Sequence, residues 1–204
     1  MSKCGSSLIK LLLGLVFLTN MPSSLRSELH DKGVRLEVQS HISKYKVSGE
    51  SNPQIIEALR ESGPRDSKLI SRDAYTYWHL SWKWGTKEDK ITELNKVFIL
   101  LTVKILIPHL DTKQKLLMQK WQTFQRPLIR HEMRHHSFAV VGAQLLKDRL
   151  AQEYAQKSML AVARADEIAE EVLWQIRAKD EEYDLQTNHG ESEGVRWNIG
   201  RVGS

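Results

Sequence analysis

Cysteine is almost absent: of 204 residues, only Cys4 carries a thiol. A disulfide scaffold is therefore excluded. If the first 24 residues are removed, thiolate metal ligation is excluded as well, and His and carboxylate are left as the available donors. The N-terminal apolar run, Leu8 to Leu18, is broken by Lys10 and is shorter than the ~20 residues of a membrane-spanning helix. Internal repeats and low-complexity tracts are missing too, so the chain is neither a repeat array nor a fibrous protein. A strong charge of one sign is also lacking. The net charge is +5, and residues 1–24 contain two lysines, Lys3 and Lys10, and no acid, so their removal lowers it to +3. That bias suits a solvated surface with modest attraction to anionic lipid or cell wall, and it argues against a nucleic-acid partner.

What the chain does have is a globular composition, with 41% hydrophobic and 27% charged residues, enough to bury one core at this length. Lys3, the run Leu8 to Leu18 and the stretch Thr19 to Ser24 follow the three-part layout of a secretory signal. Residues 1–24 are expected to be an export signal, with an uncleaved signal anchor as the alternative, and residues 25–204 a single domain in the periplasm or outside the cell. Cys4 precedes the apolar run, so a lipid anchor is not supported.

Val34 to Ser48 alternates in places and predicts one or two short strands ending at Gly49. A helix should follow, with Asn52 as N-cap, Pro53 at its first position, an Ile55/Ile56/Leu59 stripe and a stop at Gly63-Pro64. Ala74 to Trp84 reads as a strand with Trp78, Leu80, Trp82 and Trp84 on one face, a stripe expected to pack in the core rather than to form a carbohydrate platform. Val97 to Ile107 is almost wholly apolar and β-branched and should pair with it as a hairpin, ending at Pro108. From Thr112 the period turns helical, predicting helices over about 112–125, 127–152 and 155–180. The fold class expected is α+β: a small antiparallel sheet followed by long helices.

The chemistry sits on the second of those helices, in His131-Glu132-Met133-Arg134-His135. Two histidines four apart stack on one helix face and can aim their ring nitrogens at a single ion. Glu132, one position round, is placed to take a proton from water that a zinc ion has acidified. A third ligand must come from elsewhere, because the position six residues after His135 is Val141. The candidates are His189, where the chain leaves the last helix, and the carboxylates Glu167, Glu170, Glu171 and Asp184.

Several segments together resemble the bacterial family of predicted secreted zinc-dependent proteases, DUF922. They are Tyr45 to Gly49, Gly63-Pro64, Ala74-Tyr75-Thr76 with Trp78 and Trp82, Trp121 to Phe124, the His131 to His135 motif, and Tyr183-Asp184 with Thr187 and His189-Gly190. The resemblance implies a zincin-like fold, an exported location and one Zn2+, and its tail motif favours His189 as third ligand. It also implies supporting roles for Asp184, orienting a ligand imidazole, and for Tyr183, donating to an oxyanion. Cysteines that the family carries in the sheet and near the last helix have no counterpart here. The function expected is an exported metallopeptidase acting on protein or peptide, with Glu132 as general base and substrate added as a strand to Ala74 to Trp84 or Val97 to Ile107. The alternatives are a non-catalytic zinc-binding or partner-binding module and a cell-wall amidase.

Overall fold

In the computed structural model, the described residues are 33–66, 68–87, 90–157 and 160–197; the expected signal segment and Cys4 lie outside them. The elements in chain order are β1 (Val34–Ser48), α1 (Asn52–Ser62), β2 (Tyr75–Lys87), β3 (Lys90–Asp111), α2 (Lys115–Lys157), β4 (Leu160–Ala161), α3 (Val162–Thr187) and a 3-10 turn (Glu191–Glu193). The α+β class is as expected. The sheet, however, is mixed rather than antiparallel. β3 lies between β1 and β2, antiparallel to β2 but parallel to β1, from Val34 opposite Val97 to Ser48 opposite Asp111. β3 is paired along both edges, and its side chains are fully buried on the helix-covered face, while Phe98, Leu100 and Leu106 on the other face are only half-buried. β4 pairs with Glu93 and Leu94 of β3, beyond the start of β1.

Alternate residues of β3, Val97, Ile99, Leu101, Val103 and Ile105, are buried, and α2 and α3 cover the sheet. α1 packs at the far end of β1, where Val47 lies against the Ile55 and Leu59 stripe. Its N-cap is Ser51 rather than Asn52, and neither supplies a side-chain cap to the helix. The tryptophan stripe is part of the core. Trp78, Trp82 and Trp84 pack against it, and their indole N–H groups donate to Asp180 (Trp78) and Asp166 (Trp82 and Trp84) of α3.

Two expected helices are one. α2 runs 43 residues through Pro127, which forfeits one hydrogen bond to the preceding turn. Trp121, Phe124 and Leu128 are buried on either side of it, so tertiary packing carries the helix across the proline. α3 begins and ends about seven residues later than its periodicity suggests, and the extra two turns carry Tyr183 and Asp184 within the helix. Among the described residues no helix is long and apolar enough to cross a membrane.

α2 and α3 run antiparallel and touch where Gly142 meets Ile176. A Cβ on Gly142 would lie 2.2 Å from Ile176 Cγ1. Gly142→Ala should therefore force the helices apart and cost about 1–3 kcal/mol, as overpacking does. Urea unfolding measures the loss, and an unchanged midpoint would mean that the helices have slack at this contact.

Candidate metal centre

His131 and His135 stand one turn apart on α2, and Asp180 and Asp184 one turn apart on α3. Two like spacings on antiparallel helices bring four side chains together in register. His131 Nδ1 lies 3.0 Å from Glu193 Oε2, and His135 Nδ1 lies 2.9 Å from Asp180 Oδ1. An ionised carboxylate only accepts, so both Nδ1 atoms carry their protons, and in the neutral rings both Nε2 atoms are bare lone pairs. Those two atoms are 3.3 Å apart, and Asp184 Oδ1 is 3.2 and 3.1 Å from them. With both rings neutral, three lone pairs therefore converge on one point, which either added protons or a cation must fill. Ligands about 2.0–2.1 Å from a tetrahedral zinc are spaced about 3.3 Å apart, so the triad has the dimensions of a metal site. Its donor set of two imidazoles and one carboxylate suits a divalent ion such as zinc, and His131, His135 and Asp184 form the one group of this kind among the described residues.

Electrostatics point the same way. Burial disfavours a charged imidazole, but its hydrogen bonds to the Asp184 and Glu193 carboxylates outweigh it and raise His131. For His135 burial is again outweighed, by Asp180 and Asp184, which push it up to about 10. Burial would raise Asp184, yet its hydrogen bonds to the two histidines hold it well below the ordinary carboxylate range. The pocket therefore favours positive charge at the point where the three atoms converge.

Glu132 is 5% exposed, and burial raises its pKa against the opposing Thr76 hydroxyl, which donates to Oε2 at 2.6 Å. Thr76 and Trp78 lie on the same face of β2. One holds Glu132 directly; the other holds Asp180, and through it His135.

The tail closes the site. Asn188, His189 and Gly190 turn the chain back with φ of 49°, 53° and 83°. A Cβ on Gly190 would sit 2.7 Å from Val195 Cγ2 and 3.2 Å from the His131 ring, so this position needs glycine. The turn delivers Glu193 to His131. Tyr183 stacks on His131 at 4.8 Å, and its hydroxyl donates to Glu193 at 2.8 Å.

The expected residues are thus distributed as follows. His131, Glu132, His135, Tyr183, Asp184 and His189 all meet at one end of the α2/α3 pair. Asp184, expected behind a ligand imidazole, has Oδ1 against both Nε2 atoms. His189, expected on the metal, stands behind Asp184, with Nδ1 3.3 Å from Oδ2. Glu171 is 13 residues from Asp184, about 20 Å along α3, and bonds Arg149; Glu167 bonds Arg164, and Glu170 is exposed. Asp180 and Glu193 join the site without having been among the expected residues. The first had a signal, because Asp180 and Asp184 repeat the spacing of the histidines; the second depends on the tail turn and had none.

A family model described as "Bacterial protein of unknown function (DUF922)" matches residues 42–190. The chain belongs to this family. No curated protein and no solved structure matches it. The part of the chain matched to DUF922 includes Thr76, the His131 to His135 motif, Asp180, Asp184 and His189, while Glu193 lies just beyond it.

The pH dependence of the metal-free protein has a definite sign. His135 titrates near 10 when folded and near 6.5 when unfolded, so its contribution is full below pH 6.5 and is lost as pH rises through about 10. Asp184 is depressed from 3.8, so its contribution is present above that value and is lost as pH falls through the folded one. Melts in chelator should show greatest stability between about pH 4 and 6.5, and Asp180→Asn should flatten the alkaline limb. A wild-type profile flat from pH 6.5 to 10 would contradict the ion pairing described.

Proposed function

We propose that this chain is an exported, metal-dependent hydrolase of peptide bonds, with one zinc held by His131, His135 and Asp184 and with Glu132 as general base. The observation that carries this reading is the convergence of two imidazole nitrogens and one carboxylate oxygen beside a buried, Thr76-anchored glutamate. A divalent ion at that point supplies Lewis acidity, polarising a carbonyl and acidifying water. Glu132 takes a proton from the water whose oxygen attacks the amide carbon, and it returns that proton to the departing amine as the C–N bond breaks. Burial raises the carboxyl above its ordinary value, which strengthens it as a base. Thr76 ties down Oε2 and leaves Oε1 to do this work. Asp180 and Glu193 fix the tautomers of the two imidazoles and raise their basicity, and His189 orients Asp184. Tyr183 holds the His131 ring by stacking, with its hydroxyl on Glu193.

A polypeptide substrate is favoured by the sheet. Over 97–106 β3 has strands on both sides, so Val97 to Ile107 offers no edge; β2 is the edge beside Glu132 and is unpaired on its outer side among the described residues. An extended substrate can add to it as a strand. Export rests on the N-terminal layout, with residues 1–24 as the signal.

Elemental mass spectrometry of the purified chain should find one zinc, lost when His131 and His135 are both changed to alanine. Glu132→Gln should keep the fold and the metal while losing at least about 100-fold in peptide hydrolysis, and Thr76→Val should lose about tenfold with metal retained. Bound metal with hydrolysis indifferent to Glu132 would leave a zinc-binding module. Hydrolysis confined to cell-wall amides would redirect the same chemistry to a different substrate.

A further inference from the structure

The metal site uses one edge of the sheet, β2. The other edge, β1, lies two strands away, about 10 Å, and takes no part in the site. Exposed edges are ordinarily blunted by proline, bulges, charges or shortness, because unpaired N–H and C=O groups recruit other strands. β1 lacks these along its middle. It is 15 residues long and pairs with β3 without a register shift. From Val38 to Ser43 it has no proline and no Lys, Arg, Asp or Glu. Val38 and Ile42 are 41% and 53% exposed, on the face that looks toward α2. Between them Ser40 Oγ bonds His136 Nε2 at 2.9 Å, which ties α2 to this edge of the sheet. Met133, three residues before His136 and therefore on the same side of the helix, is also exposed.

We infer that β1 is a homodimer interface, the occupant being β1 of a second copy, antiparallel about a two-fold axis through Ser40. Self-complementarity carries this choice. An antiparallel two-fold perpendicular to the sheet keeps each residue on its own face, so paired positions must be an even number of residues apart. Centred on Ser40, Val38 of each copy falls opposite Ile42 of the other, and both exposed apolar residues are covered twice over by one operation. Centring on Gln39 or His41 pairs neither with the other. The same operation sets Met133 and His136 of the two α2 helices on either side of the axis. It buries the unprotected edge in a closed pair and leaves both β2 edges, and both metal sites, free at the ends of a six-stranded sheet. It does not depend on the proposed hydrolase activity.

Sedimentation velocity of the metal-loaded chain across the micromolar range should show a dimer. Val38→Lys combined with Ile42→Lys should weaken self-association by about tenfold or more, since lysines would replace both apolar pairs. The register is tested separately in a Cys4→Ser background. Ser40→Cys should cross-link under mild oxidation, because directly opposed residues have Cα atoms about 4.5–5.5 Å apart, within disulfide reach. Ser43→Cys should not, because its copy lies six residues, about 20 Å, away along the strand. A monomeric wild type, a dimer indifferent to the paired lysines, or cross-linking at Ser43 in place of Ser40 would each overturn the inference.

Discussion

Everything at the site depends on the register between α2 and α3. His131 faces Asp184, His135 faces both Asp180 and Asp184, Gly142 meets Ile176, and Arg149 bonds Glu171, in steadily opposite order along the two helices. A slip of one residue would rotate Asp184 by about 100° and empty the triad of its third acceptor. Two features fix the register and the distance. Gly142 lets Ile176 approach to a separation that no larger residue allows. The indoles of β2 pin α3 at Asp166 and Asp180, about 20 Å apart along the helix, so it can neither slide nor roll relative to the sheet.

The tryptophans therefore have two roles. Their rings supply apolar area to the core, and their N–H groups direct carboxylates. Trp78 passes its hydrogen bond through Asp180 to His135, while Thr76, two residues earlier on the same face, reaches Glu132. One strand face thereby positions both His135 and the glutamate beside the histidine pair. The tail adds restraint from the opposite side. Val195 is buried, and Trp197 packs on Trp121 and Phe124 at the beginning of α2, so the segment that carries Glu193 is anchored beyond it.

Much of this was legible in the sequence, and the misses have physical causes. The helical histidine motif, the tryptophan face and the helix at 52–62 follow from short-range periodicity, and all are present. The parallel pairing of β1 has no local signal, because strand order is set by tertiary packing. Pro127 was read as a boundary because local propensity counts its lost hydrogen bond but not the burial of Trp121, Phe124 and Leu128 around it. That Asp184 rather than His189 faces both histidines follows from the length of α3. With the helix stopped at 180, His189 is free to swing onto the metal; with the helix continued to Thr187, Asp184 holds a fixed helical position, and His189, in a left-handed turn, is carried past the triad to its far oxygen.

Charge explains why the centre calls for a cation and not merely for protons. Asp180, Asp184, Glu132 and Glu193 gather around two imidazoles, with Arg134 the nearby cation that acts on Tyr183 and Glu193 from the surface. Burying carboxylates without compensation is costly, so the metal-free fold retains protons on the histidines, as the elevation of His135 to about 10 records. Two extra protons would offset two of the four negative charges, but they would sit on Nε2 atoms only 3.3 Å apart and repel each other. A single dication carries the same charge, accepts all three lone pairs at once and removes that repulsion. Metal uptake is then an exchange of protons for one ion, which ties the affinity of the site to the same carboxylates that hold the two helices together.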